Sequence, residues 1–197
     1  MNNKEVFTDI YDSKMWKSDI AGTLSGPGSD IECSYEYVEF LNKFINKHKI
    51  KSVLDLGCGD FNLMRHVNLK NIDYLGIDVV DRVIFQNKKT YPNLSFICDD
   101  IINFDTITKT FDLYIIKDIL QHLSFDSIKK IIDKLPSNKY ILVTNDIPPT
   151  PVTENIDCNN GEYHLIQLDK PPFNLILNHK LTFDSCGFLK RVDLYIK

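Results

Sequence analysis

Between Phe111 and Ser124 the chain reads FDLYIIKDILQHLS, an apolar run that gives way within six residues to Lys117, Asp118, Gln121 and His122. A second run, YILVTND from Tyr140 to Asp146, ends in the polar pair Asn145 and Asp146. Such clusters are either a reaction centre or a polar lid on an ordinary sheet. A neutral histidine is the usual base near pH 7 for a hydroxyl that must lose its proton as its oxygen attacks. His122 is therefore a candidate catalytic base, the other reading being a ring packed beside a helix cap at Ser124. Lys117 reads as a side chain that faces solvent or pairs with a carboxylate.

Runs such as Leu113 to Ile116 are apolar on both faces, as expected of strands buried between two layers. Polar residues that follow such a run emerge at the carboxyl edge, where open α/β sheets bind ligands. Strands are expected at 52–57, 74–78, 94–98, 113–117 and 140–146. Helices are expected from Tyr35 to Lys49 with Ser29 or Asp30 as cap, from about Asn62 to Val67, near Val80 to Lys89, and from Ser124 to Leu135. Five strands alternating with helices predict a doubly wound, Rossmann-like α/β fold with a mostly parallel sheet. The tail, with apolar runs at 163–168 and 189–197, is expected to add at least one antiparallel strand. One domain is expected, with a lid and helix over 1–49, a cofactor-binding half over 50–146, and a substrate loop and final strands over 147–197.

VLDLGCGDFNL, 53–63, ends a strand in G-x-G and is expected to turn into a helix, a geometry that lets backbone N–H groups approach a bound cofactor closely. Asp55 lies two residues before the first glycine. A second strand ends in Asp78, placed to accept the hydroxyls of a ribose. No third glycine follows Gly59 to pack under a pyrophosphate, so a cofactor without one fits better.

These residues resemble the class I S-adenosylmethionine-dependent methyltransferases over about Ser52 to Asp146, with DLGCG, GID, FICDDI and FDLYIIKDILQHL in the family's order. The resemblance implies a pocket for S-adenosylmethionine formed by Asp55, Gly57, Cys58, Gly59, Asp78, Val79, Asp99, Asp100, Ile101 and Lys117. In it Gly57 and Gly59 line the methionine part, Asp78 holds the ribose, and Asp100 or Asp99 binds the adenine amino group. KDILQHL is similar to the family's acid-L-x-H-L pattern, which turns Asp118 and His122 toward the methyl donor as catalytic candidates. Asp118, Asn145 and Asp146 are similar to the metal set of catechol-type O-methyltransferases. That similarity implies Mg²⁺ or Mn²⁺, oxygen-seeking ions, with hydrogen bonding alone as the alternative.

WKSDIAGTLSGPGSD, 16–30, lies outside those motifs. Its glycines run into a helix start, a place for an anion such as a cofactor carboxylate or substrate phosphate, and Trp16 is a candidate cover. Trp16, Ser25, Gly26, Gly28, Ser29 and Gln121 are the candidate substrate residues. Together with DILQHLS, TND and PPFNL, this stretch resembles small methyltransferases of surface-glycan genes. That likeness implies O-methylation of a sugar or nucleotide sugar. The other readings are a metal-independent methyltransferase of another small molecule, protein or RNA, or a non-catalytic cofactor-binding subunit.

Composition narrows the partners. The net charge is −4, which gives no general attraction to phosphate backbones and makes nucleic acid a less favoured partner. Cys33, Cys58, Cys98, Cys158 and Cys186 are odd in number and lack CxxC spacing, arguing against a disulfide framework or zinc site and for a reduced cytoplasm. No apolar stretch has the length of a membrane span or a signal core. DKPPF at 169–173 and NDIPP at 145–149 look like a methyltransferase motif out of place and are expected to be turns. His164 and His179 are expected at the surface or in packing.

Overall fold

Along each central strand, alternate residues face opposite layers. The structure, a computed structural model, describes residues 2–18 and 22–197, with backbone alone at Thr106. The strands are β1 (Ser52–Leu56), β2 (Asp73–Asp78), β3 (Ser95–Cys98), β4 (Leu113–Lys117), β5 (Tyr140–Asp146), β6 (Leu177–Ser185) and β7 (Phe188–Tyr195). They form one sheet in the order β3-β2-β1-β4-β5-β7-β6. The first five are parallel, and β7 and β6 pair antiparallel. This is the expected doubly wound, Rossmann-like architecture.

Val53, Leu113, Ile115 and Leu142 face one layer, where they pack with Leu41, Phe44 and Ile45 of helix α2 (Ile31–His48). Leu54, Leu56, Tyr114, Ile116 and Val143 face the other, against Ile128 and Ile131 of α4 (Phe125–Lys134). Each fully buried aliphatic side chain contributes roughly 1.5–3 kcal/mol, so these two isoleucines, with Phe125, Ile132 and Leu135 packed beside them, help to seat a ten-residue helix that would be unstable alone. α4 starts where Ser124 Oγ accepts from the backbone N–H of Ser127 at 3.4 Å. α3 (Asp81–Thr90) packs beside β2 and β3.

Several expectations are corrected. Residues 62–67 form a single 3₁₀ turn, Met64–His66, because Phe61 takes a left-handed φ of 60° and the chain returns to extended backbone at Val67. The run 163–168 is irregular. Its alternation is real, with His164, Ile166 and Leu168 buried, but the His164 N–H bonds the Gln121 carbonyl at 3.0 Å rather than a sheet neighbour. The strand in this region is β6, whose outer position leaves it half exposed and hides any apolar pattern. An unexpected helix, α1 (Asn3–Asp12), is fixed by a capping box between Asn2 and Glu5. Cys33 and Cys186 form a disulfide between α2 and the β6–β7 turn, with Cα atoms 4.9 Å apart. Spacing cannot show a pair 153 residues apart in sequence; the other three cysteines are free. Among the described residues no helix is long and apolar enough to cross a membrane.

Candidate active site

The carboxyl ends of β1, β2, β4 and β5 border a cavity of about 410 Å³. At one end, β1 runs into Gly57 with φ 79° and Gly59 with φ 53°. A Cβ on Gly57 would stand 2.4 Å from Ile119 Cδ1, and one on Gly59 would stand 2.5 Å from Ser25 Oγ. Both take a positive φ that L side chains rarely adopt, and a side chain there would also push Ile119 or Ser25 aside, which favours glycine at both positions. Asp78 is buried, and its two oxygens accept from the N–H groups of Gly59 and Val80, each at 3.0 Å. Burial pushes its carboxyl up to about 6 despite those bonds. Each oxygen keeps a second lone pair for a ligand hydroxyl.

Asp100 also reaches the cavity, accepting from Asn3 Nδ2 at 2.8 Å and from the Ile102 N–H at 3.0 Å. Cys58, Val79 and Ile101 complete this end. Two candidates for it lie off the wall. Asp99 turns back to accept from the Asp100 N–H at 2.7 Å. Asp55 is buried beneath, accepting from Tyr74 Oη at 2.7 Å, and burial pushes it up to about 6.

The amino-terminal segment lies over the cavity. Asn3, Phe7 and Tyr11 project from α1, and the Trp16 ring lies 5.9 Å from Phe7 and 6.0 Å from Tyr11. Ser25 Oγ meets Tyr11 Oη at 2.7 Å and accepts from the Asp60 N–H at 2.9 Å. The Asp60 carboxylate in turn accepts from Thr23 Oγ1 and the Leu24 N–H. Ser25, Gly26, Gly28 and Ser29 all line the cavity, and residues 19–21 of this stretch lie outside the described residues. Asp30 is the N-cap residue of α2; its side chain makes no hydrogen bond to the helix end, is fully buried and accepts from Ser18 Oγ.

At the opposite end Asp118 has a φ of 58° and sits between two cations. Lys117 Nζ lies 2.5 Å from one carboxylate oxygen and Lys190 Nζ lies 2.8 Å from the other. Burial would raise the Asp118 carboxyl, but the two ammonium groups outweigh it and hold the group at about 2. Lys117 also donates to the Gly28 carbonyl at 2.8 Å, so it pairs inward and does not face solvent. Lys190 Nζ reaches Asp146 as well, at 2.6 Å, and Tyr163 Oη donates to the other Asp146 oxygen at 2.8 Å. The charges of Lys117, Lys190, Asp118 and Asp146 sum to zero.

This arrangement does not fit the divalent metal implied by the sequence. An ammonium group bridges Asp118 and Asp146 where a cation would have to lie. Asn145 alternates to the other side of β5 and lines a separate small cavity. No cluster of three or more acidic, histidine or cysteine ligands occurs among the described residues.

His122 lines the main cavity, its ring 4.6 Å from Trp16 and 5.7 Å from Tyr163. Its Nδ1 lies 3.0 Å from the Glu162 carbonyl oxygen, which can only accept, so the neutral ring carries its proton on Nδ1 and exposes a lone pair on Nε2. Burial lowers the pKa of the ring from 6.5, favouring that neutral form. Gln121 is buried beside it, its side-chain oxygen accepting from the Asp146 N–H at 3.2 Å.

Lys190, Tyr163, Tyr11, Asn3 and Phe188 were not marked by the sequence reading and all line the cavity. For Lys190 a signal exists: pairing β7 antiparallel with β5 sets Lys190 opposite Asp146. The remaining suspects lie elsewhere. His164 is buried, with Nδ1 2.6 Å from the Ile156 carbonyl. His179 is half exposed near Asp193, and residues 169–173 form a turn off the cavity.

Comparison with known proteins agrees with this geometry. Residues 53–137 match the family model described as a methyltransferase domain. A stretch of 86 residues is 31% identical to 235L of Invertebrate iridescent virus 6, a protein named as a candidate methyltransferase. The match covers 41% of this chain and 32% of the relative, so the chain spans about a third of that protein's length. The fold is similar to magnesium protoporphyrin IX methyltransferase from Synechocystis PCC 6803 with bound S-adenosylmethionine. That likeness has a TM-score of 0.66 and 11% identity, and covers 100% of this chain and 98% of that one. The N-methyltransferase NodS from Bradyrhizobium japonicum WM9 is similar with a TM-score of 0.56 and 14% identity, over 85% of this chain and 99% of that one.

Proposed function

We propose that this chain, which matches the methyltransferase-domain family model over residues 53–137, transfers the methyl group of S-adenosylmethionine to a hydroxyl of a small acceptor, a sugar. The observation that carries this reading is one cavity with the Gly57, Gly59, Asp78 and Asp100 wall at one end and His122 at the other. S-adenosylmethionine supplies an activated methyl on a sulfonium. The ribose hydroxyls would donate to Asp78 and the adenine amino group to Asp100. His122 Nε2 takes the proton of the acceptor hydroxyl, and the tilted rings of Trp16 and Tyr163 beside it hold the imidazole in place. Apolar ring faces beside Gln121, Asp118 and Asp146 suit a molecule with hydrophobic faces and hydroxyl edges, which favours the sugar reading.

Because Lys190 bridges the two carboxylates, the reaction is expected to be metal-independent. Purified protein incubated with labelled S-adenosylmethionine and a panel of glycosides and nucleotide sugars should yield a methylated product, equally with and without EDTA. A product lost with EDTA and restored by Mg²⁺ would overturn the metal-independent reading. Tight cofactor binding with no product would make the chain a cofactor-binding partner.

The raised Asp78 carboxyl gives a pH signature. Above about 6 it is ionised and accepts from the ribose; below that value it gains a proton and loses acceptor strength. Affinity for S-adenosylmethionine, measured by calorimetry, is expected to weaken as pH falls through about 6. Asp78→Asn should bind weakly and show no such step.

A further inference from the structure

The Lys190 side chain is 5% exposed overall yet belongs to the cavity wall. Its ammonium has three N–H donors, of which one meets Asp118 at 2.8 Å and one meets Asp146 at 2.6 Å. Asp146 continues through Tyr163 Oη at 2.8 Å to a ring 5.7 Å from His122. A contiguous path therefore runs from Lys190 to the base. The formal charges of Lys190, Lys117, Asp118 and Asp146 cancel, and both ammonium groups in this cluster are engaged by carboxylates, a balance that disfavours an anionic acceptor.

Resting on the O-methyltransferase reading above, we propose that Lys190 is a catalytic residue serving as a built-in cation, and that the acceptor is an uncharged vicinal diol. The third ammonium N–H donates to the oxygen to be methylated, and the neighbouring hydroxyl donates to Asp118 or Asp146. As that oxygen's lone pair forms the new O–C bond, the C–S bond breaks with its electrons passing to sulfur. The hydroxyl proton goes to His122 Nε2. The products are the methyl ether, S-adenosylhomocysteine and a protonated His122. The ammonium favours the developing negative charge on oxygen, the task a divalent ion performs in metal-assisted transfer. The diphosphate of any nucleotide sugar must then lie outside this end of the cavity.

The test uses the full chain with pairs of neutral hexosides and the matching uronates, scored by labelled methyl transfer. The expected result is transfer to a neutral glycoside and none to its uronate. Lys190→Ala should lower kcat by about 10²–10³-fold, the range for one lost oxyanion donor, leave the dissociation constant of S-adenosylmethionine within threefold, and regain activity on addition of ethylammonium. A merely structural lysine would show no such rescue. Should Lys190→Ala fail to fold, Lys190→Ala with Asp146→Asn restores charge balance for the same rescue assay. Unchanged kcat, no rescue, or transfer confined to uronates would overturn the proposal while leaving the methyltransferase reading intact. Absence of transfer by the unaltered chain to every acceptor would overturn both.

Discussion

Replacing His122 with alanine is expected to lower kcat by about 10²–10⁴-fold, the usual contribution of a positioned general base. The dissociation constant of S-adenosylmethionine should stay within a few-fold, because the cofactor end is built by β1, β2 and the segment after β3. The separation of these two numbers is the informative part. A histidine that only packed against Trp16 would, when truncated, loosen the lid and weaken cofactor binding together with turnover. The ring is tied to the Glu162 carbonyl through Nδ1, so His122→Gln, which keeps a donor but has no basic nitrogen, should restore packing and not activity. Stopped-flow single-turnover measurements of methyl transfer, paired with calorimetry, distinguish the two roles.

Asp118→Ala is expected to be the most destabilising of the site substitutions. It strips Lys117 of its carboxylate and leaves Lys190 with Asp146 alone. Breaking a buried ion pair costs about 3–5 kcal/mol because a charge is left without compensation. The alanine must also adopt a left-handed φ near 58°, a conformation that aspartate and asparagine tolerate better. Asp118→Asn should therefore be less destabilised while still losing activity, and urea unfolding of the two variants separates charge from backbone. The sign of the pH dependence follows from the folded and ordinary values. With Asp118 held at about 2 against 3.8, its stabilisation is present above about 3.8 and lost as pH falls through about 2. The acid limb of the melting temperature should move accordingly in Asp118→Asn.

The parallel core was legible because burial on both faces writes itself as continuous apolar runs. Strands β4 and β5 fall within the residues expected of them. The cofactor end was legible for a related reason: glycines and acids at strand ends are local signals, and Gly57, Gly59, Asp78 and Asp100 all reach the cavity. What failed depended on contacts distant in sequence. Asn145 and Asp146 are neighbours in the chain, but strand alternation sends them to opposite sides, so only Asp146 meets Asp118's partner Lys190. Lys190 itself sits in LKRVDLYIK with no local mark, and its role appears only once β7 is laid against β5. The segment 163–168 had the right period and the wrong partner, since an extended stretch can bury alternate residues against a loop as well as against a sheet.

The Cys33–Cys186 bond changes what kind of object the last two strands are. They form a hairpin on the antiparallel side of the sheet with β6 as the edge strand, and an edge of that kind is the sort of element that opens first when a native protein fluctuates. With the bond in place a covalent loop runs from Cys33 through the parallel core and β6 to Cys186, so β6 and the turn after it are tied to α2, and β7 follows directly from the closed end. Lys190 lies just past that closure, four residues after Cys186. One end of the strand that carries Lys190 is thus tethered to α2 by a linkage outside the reacting atoms.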